Sequence, residues 1–116
     1  MGLKNPVSGG NWIALSLASS YAPKGAGLAL PAYRRDSLGI VHLRGTLGWI
    51  GGAVTTIASL PLGFRPPSRI IFIAYGWDIN STPSPLYMKI ENSGNLDYVA
   101  GGAYLIGLDQ ISFATY

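Results

Sequence analysis

The chain has a single histidine, His42, and Arg44 follows two residues later. On an extended strand that spacing puts both side chains on one face. An imidazole beside a guanidinium offers hydrogen-bond donors to hydroxyl or phosphate oxygens. The alternative, which the residues leave open, is a hydrogen bond across strands or between subunits. A general-base role would need a serine activated and oriented as a nucleophile, and no nucleophile-elbow sequence is present. The carboxylates Asp36, Asp78, Glu91, Asp97 and Asp109 show no spacing that marks a glycosidase pair, and such a pair is set by space rather than by sequence. No cluster has the make-up of a metal site. With no cysteine there are no disulfides or thiolate ligands. These residues argue against an enzyme, a metal centre and a bound cofactor.

A second group suits a different chemistry. A sugar ring presents an apolar C–H face and a rim of hydroxyls, so it needs an aromatic platform beside groups that both donate and accept. Tyr75, Trp77, Asp78 and Asn80 supply these where a strand runs into a loop bounded by Pro83 and Pro85. Trp77 would stack on the ring, while Asp78 and Asn80 would meet hydroxyls. The competing reading has Trp77 packed in a core or subunit interface and Asp78 capping the turn. Asp97-Tyr98 reads as part of an ordinary hairpin, and Trp12 and Trp49 as core residues.

The elements that must hold these groups are strands. At 116 residues the chain is one domain's worth. Hydrophobic residues make up 48% of it and charged residues only 11%, against about 25% in an ordinary globular protein. That shortage excludes a disordered tail and argues against solvated amphipathic helices. Sixteen Gly and eight Pro without a regular period indicate many turns. Net charge is +3, from scattered Lys and Arg in which Arg34-Arg35 is the only adjacent pair. This argues against nucleic-acid binding, which clusters them on one face. The longest apolar run, Ile70 to Tyr75, falls far short of a membrane helix. Trp12 to Ala18 is too interrupted to read as a cleaved signal.

Period-two alternation and turn residues mark extended segments at Asn11–Leu17, Ala32–Arg35, Leu38–Leu47, Ala53–Ala58, Arg69–Trp77, Leu86–Glu91, Leu96–Val99, Tyr104–Leu108 and Gln110–Tyr116. That predicts eight or nine strands and no helix. In Leu38–Leu47, Val41, Leu43 and Leu47 share a core-facing side, with Ile40, His42, Arg44 and Thr46 opposite. Asn92-Ser93-Gly94-Asn95 reads as a hairpin turn. Arg65 is placed to hold the proline-rich loop Leu60–Pro67 by donating to its carbonyls. In Arg69–Trp77 both faces are apolar: Ile71, Ile73, Tyr75 and Trp77 on one, Ile70, Phe72 and Ala74 on the other. An antiparallel sheet packs one face on its own core, so the second face calls for a cover, and a sister subunit is the preferred one. Residues 1–10 read as a linker or the stub of an upstream neck, and residues 11–116 as a single domain.

Trp12, Pro31-Ala32-Tyr33-Arg34, Gly39-Ile40-Val41-His42-Leu43-Arg44-Gly45, Leu60-Pro61-Leu62-Gly63-Phe64-Arg65-Pro66-Pro67 and Ile111-Ser112-Phe113 follow one another in an order that carries a resemblance. From Asn11 on, the chain resembles the C-terminal head domain of receptor-binding proteins and tail-fibre tips of tailed bacteriophages, the siphophage type that attacks Gram-positive hosts such as lactococci. The resemblance implies a compact all-β antiparallel barrel or sandwich of Greek-key type, assembled as a homotrimer at the virion tail tip. Such a head is made in the host cytoplasm and binds a host cell-wall saccharide or wall polymer without cleaving it. Its other partners would be phage tail or baseplate proteins, with no nucleic acid and no membrane insertion. The family's motifs are scaffold elements and transfer no binding residue, so the candidate saccharide contacts remain Trp77, Asp78, Asn80, Tyr75, His42 and Arg44. The alternative is a structural tail or decoration module that trimerises and binds other virion proteins. A secreted trimeric signalling domain of the C1q or tumour-necrosis-factor type fits less well, having no counterpart to the Arg-Pro-Pro loop.

Overall fold

The computed structural model describes residues 11–52, 54–101 and 104–116; the lead segment 1–10 and positions 53, 102 and 103, where a turn and a strand start were expected, lie outside the described residues. Among the described residues there is no helix. There are eleven strands: β1 (Ile13–Ala14), β2 (Tyr21–Pro23), β3 (Ala32–Arg35), β4 (Ile40–Arg44), β5 (Thr46–Trp49), β6 (Thr56–Ser59), β7 (Ile70–Trp77), β8 (Leu86–Ile90), β9 (Asn95–Ala100), β10 (Leu105–Gly107) and β11 (Ser112–Ala114). Two findings raise the number above the expected eight or nine. Tyr21–Pro23, expected as loop, pairs with β5, and the expected strand Leu38–Leu47 is two strands in two sheets.

All strand pairs are antiparallel. Seven strands run in the order β2-β5-β10-β7-β8-β9-β6, and four in the order β1-β3-β4-β11. The larger sheet curls until its two edges nearly meet. Leu17, just upstream of β2, bridges to Ala58 of β6, and the Ala18 N–H donates to the Ile57 carbonyl at 2.8 Å. This hides the exposed edges that an open sheet would present for unwanted pairing.

The two sheets share strands through one corner. Gly45 separates β4 from β5 at φ 103°, and Leu108 to Ile111 separate β10 from β11, with Gln110 at φ 72°. The Leu108 N–H donates to the Gly45 carbonyl at 2.8 Å, and the Gly45 N–H donates to Asp109 Oδ1 at 3.0 Å. The corner explains Thr46, expected on the solvent side but buried. The 24–31 loop lies along it, with the Thr46 N–H donating to the Ala29 carbonyl and the Lys24 N–H to that of Thr46.

One apolar core fills the barrel and extends under the second sheet. Leu47, Ile57, Leu86, Met88, Ile90, Leu96 and Ile106 line the barrel; Val41, Leu43 and Phe113 come from the smaller sheet. Each large side chain so buried contributes roughly 1.5–3 kcal/mol. The alternation expected for β8 holds, with Leu86, Met88 and Ile90 inside and Tyr87 outside. Arg65 holds its loop as expected, its Nε donating to the Leu60 carbonyl at 2.8 Å, and Phe64 meets Tyr33 edge-on at 5.0 Å.

Gly45 is a position that does not tolerate a side chain. A Cβ there would sit 2.4 Å from the Leu30 carbonyl oxygen and 2.5 Å from the Pro31 nitrogen, both backbone atoms. Gly45→Ala is expected to cost about 3 kcal/mol or more, from positive-φ strain plus collision. Gly63→Ala also has positive φ but open space around it, and is expected to cost only about 1 kcal/mol. Urea denaturation of the two variants checks the contrast.

Candidate functional site

The barrel has an open mouth at the end where β5 leaves it. Tyr21 and Trp49 face each other across the β2–β5 pair, and both point inward on the side of Leu47. With Tyr98, Tyr104, Val54 and Ile106 they line an apolar cleft of about 450 Å³, with Asp78 and Ile79 at its rim. Three aromatic side chains turn their polar tips to the surrounding loops. Tyr21 Oη donates to the Val54 carbonyl at 2.8 Å, Trp49 Nε1 to the Gly52 carbonyl at 3.1 Å, and Tyr98 Oη to the Gly101 carbonyl. Burial pushes the Tyr21 hydroxyl pKa above its ordinary value, helped by nearby Tyr98 and Asp97, so Tyr21 remains a donor at neutral pH. The tips hold the glycine-rich loops, and the ring faces remain for a ligand.

The expected site residues fall in different places. Asp78 stands at the rim of the cleft and also closes its loop, its Oδ1 accepting from the backbone N–H groups of Asn80 at 2.9 Å and Thr82 at 3.0 Å. Asn80 is exposed in that loop. Tyr75 and Trp77 face outward on β7, away from the cleft; Trp77 lies over Gly107, where an added methyl would be 3.6 Å from its ring. His42 and Arg44 are on the other sheet. His42 is hydrogen-bonded within its own hairpin, its Nε2 2.8 Å from Asp36 Oδ2. An ionised carboxylate only accepts, so the imidazole carries its proton on Nε2.

The two tryptophans expected in the core are elsewhere. Trp49 is 44% exposed at the mouth, and Trp12 is half-buried under the guanidinium groups of Arg44 and Arg34. The residues missed as a site are Tyr21, Trp49, Tyr98 and Tyr104. Tyr21, Trp49 and Tyr98 come from separate strands and Tyr104 stands just before a fourth, β10, so no periodicity links them. The local signal was the closeness of Trp49 to Gly51-Gly52 and of Tyr104 to Gly101-Gly102.

The outer surface of the barrel divides in two. On β8, β9 and β6, Lys89 pairs with Glu91 at 2.9 Å and reaches towards Asp97 at 3.9 Å, while Thr56 Oγ1 donates to Asp97 Oδ1 at 2.8 Å. On β7 the outer side chains are bare: Ile71, Ile73 and Tyr75 are 67%, 64% and 69% exposed, and Tyr87, opposite Ile73, is 53% exposed. Among the described residues, nothing covers the outer side of β7 at Ile71, Ile73 and Tyr75, the face expected to need a cover.

No protein-family model and no curated protein matches this chain. Among solved structures its fold is that of a phage receptor-binding protein. It superposes on the crystal structure of the receptor binding protein (gp15) of Listeria phage PSA with a TM-score of 0.75 at 18% identity, covering 91% of this chain and 65% of that one. The chain thus spans just under two-thirds of that protein. The resemblance read from the ordered motifs holds at the level of fold.

The Asp36 carboxyl is held below its ordinary pKa by the His42 hydrogen bond first and by the Ile40 N–H second. A depressed folded value means that this contribution to stability is complete above about pH 4, where the unfolded carboxylate is ionised. It is lost as pH falls further, through the folded value. Asp36→Asn keeps an oxygen acceptor but loses the charge. The wild type's advantage over it in thermal midpoint is expected to be full at neutral pH and to vanish in strong acid. An advantage independent of pH would rule out the charge as its source.

Proposed function

We propose that this chain is the head of a phage receptor-binding protein, carried at the virion tail, that binds a host cell-surface saccharide without cleaving it. The observation that carries the reading is the shared fold with the receptor binding protein of Listeria phage PSA. In this chain the aromatic cleft at the barrel mouth suits such a ligand, since ring faces stack on sugar C–H surfaces. Asp78 at the rim supplies acceptors to hydroxyls, with Asn80 beside it in the same loop. Barrel mouths are frequent ligand sites because the strands hold the walls while loops vary. We assign stacking to Trp49, Tyr98 and Tyr104 rather than to Trp77 and Tyr75. Those two belong to the apolar outer strip, for which a homotrimer supplies the cover. Multivalent attachment then raises avidity by roughly 10²–10⁴ over one site.

The test is adsorption to host cell-wall fractions. Wild type is expected to bind, and Trp49→Ala to lose binding by at least about tenfold, the scale of one aromatic platform. A well-folded wild type that binds no wall saccharide but binds another virion protein tightly would replace this reading with the structural-module alternative.

Assembly is tested separately by sedimentation. Wild type is expected as a trimer at micromolar concentration, and Ile73→Lys, a change on an already exposed side chain, as a folded monomer. A wild type that sediments as a stable monomer would remove the trimer from the proposal.

A further inference from the structure

The four-stranded sheet has an outer face that the barrel mouth does not explain. Ala32 pairs with Arg44 and Arg34 with His42 across β3 and β4, so Arg34, His42 and Arg44 project on one side. Trp12, one residue before β1, lies over the same face, because Ile13 pairs with Tyr33. Its ring centroid is 4.2 Å from Arg44 Cζ and 5.2 Å from Arg34 Cζ. Two positive charges therefore share one indole, no farther apart than those two distances together.

Neither guanidinium has a carboxylate within ion-pair distance among the described residues. The carboxylates beside them are engaged. Asp36 accepts from the Leu38 and Ile40 N–H groups through Oδ1 and from His42 through Oδ2, and Asp109 accepts from the Gly45 N–H. Arg34 is half-buried and Arg44 exposed, so both remain open to solvent. Like charges held this close repel. Cation–π attraction to the indole and the weak hydration of guanidinium offset the repulsion, and a bound anion would remove it. The planar forks match the geometry of phosphate oxygens.

We infer that Trp12, Arg34 and Arg44 form a phosphate-binding site, distinct from the barrel mouth, that takes a phosphate mono- or diester group. His42, tied to Asp36, is the cross-strand partner of Arg34 on the same face. The anion site stands on this geometry alone. Its assignment to a phosphodiester of a host surface polymer rests on the proposed receptor-binding role.

The experiment follows the arginine side-chain NεH resonances by NMR while the folded protein is titrated with inorganic phosphate, and separately with a glycerol-phosphate oligomer. The expected result is saturable shifts at Arg34 and Arg44. Arg34→Gln and Arg44→Gln are each expected to weaken binding about tenfold or more, since each removes a charge-assisted contact. Arg44→Lys, which keeps the charge but not the fork, should fall between. Tighter binding of the oligomer than of phosphate identifies a polymer source, and equal binding a free-phosphate site. Absence of shifts at both arginines, or shifts that Arg44→Gln leaves unchanged while the rest of the spectrum remains folded, overturns the inference. Trp49→Ala is expected to leave the phosphate titration intact. Loss of saccharide binding alone therefore bears on the mouth, and loss of phosphate binding alone on this site.

Discussion

The corner at Gly45 is the constraint on which both halves of the molecule depend. Two antiparallel ladders, β5 with β10 and β4 with β11, are the two arms of one bent ribbon. The bend lets a single run of chain contribute Leu47 to the barrel core and Val41 and Leu43 to the core beneath the second sheet. It requires a residue at positive φ within contact of the Leu30–Pro31 backbone, which only glycine allows at little cost. Asp109 takes the Gly45 N–H and the Leu108 N–H takes the Gly45 carbonyl. The corner thus leaves neither main-chain polar group of Gly45 unpaired, as a buried turn must.

That bend also separates the two candidate surfaces. The barrel presents an aromatic mouth whose loops are fastened by tyrosine and tryptophan donors. The second sheet presents a pair of arginines on an indole. The first suits contact with apolar ring faces, and the second suits contact with an anion. Their chemistry differs because their walls differ. The mouth is walled by aromatic rings whose polar tips are already hydrogen-bonded to loop carbonyls, whereas the outer face of the small sheet is wet enough to carry uncompensated charge.

The barrel exterior shows the same division of labour. Lys89, Glu91, Asp97, Thr56 and Arg69 form a polar ladder whose paired members hold one another: Glu91 is kept ionised by Arg69 first and Lys89 second. Beside it, the outer side of β7 is aliphatic and aromatic. Surface ion pairs of this kind contribute little to stability, so the ladder's main effect is to keep that part of the barrel in water. The neighbouring strip has no such protection and is the part of the exterior suited to a protein neighbour.

Much of this architecture was legible in the residues. Alternation placed Leu86, Met88 and Ile90 inside, the Asn92–Asn95 turn joined β8 to β9, and the shortage of charge excluded a helical domain. The two apolar sides of Ile70–Trp77 mark a face that the chain's own core does not take up. These features are local, with a period of two residues or a turn of four, so the linear order is enough to read them. What the linear order could not carry is the meeting of distant strands. Tyr21, Trp49, Tyr98 and Tyr104 become a cleft only when the large sheet curls, and Trp12 finds Arg34 and Arg44 only when β1 pairs with β3. Gly45 was legible as a glycine but not as a corner. Whether a glycine ends a strand, loosens it or turns it into another sheet depends on which backbone passes beside it, and here that is Leu30 and Pro31, packed there by the tertiary fold.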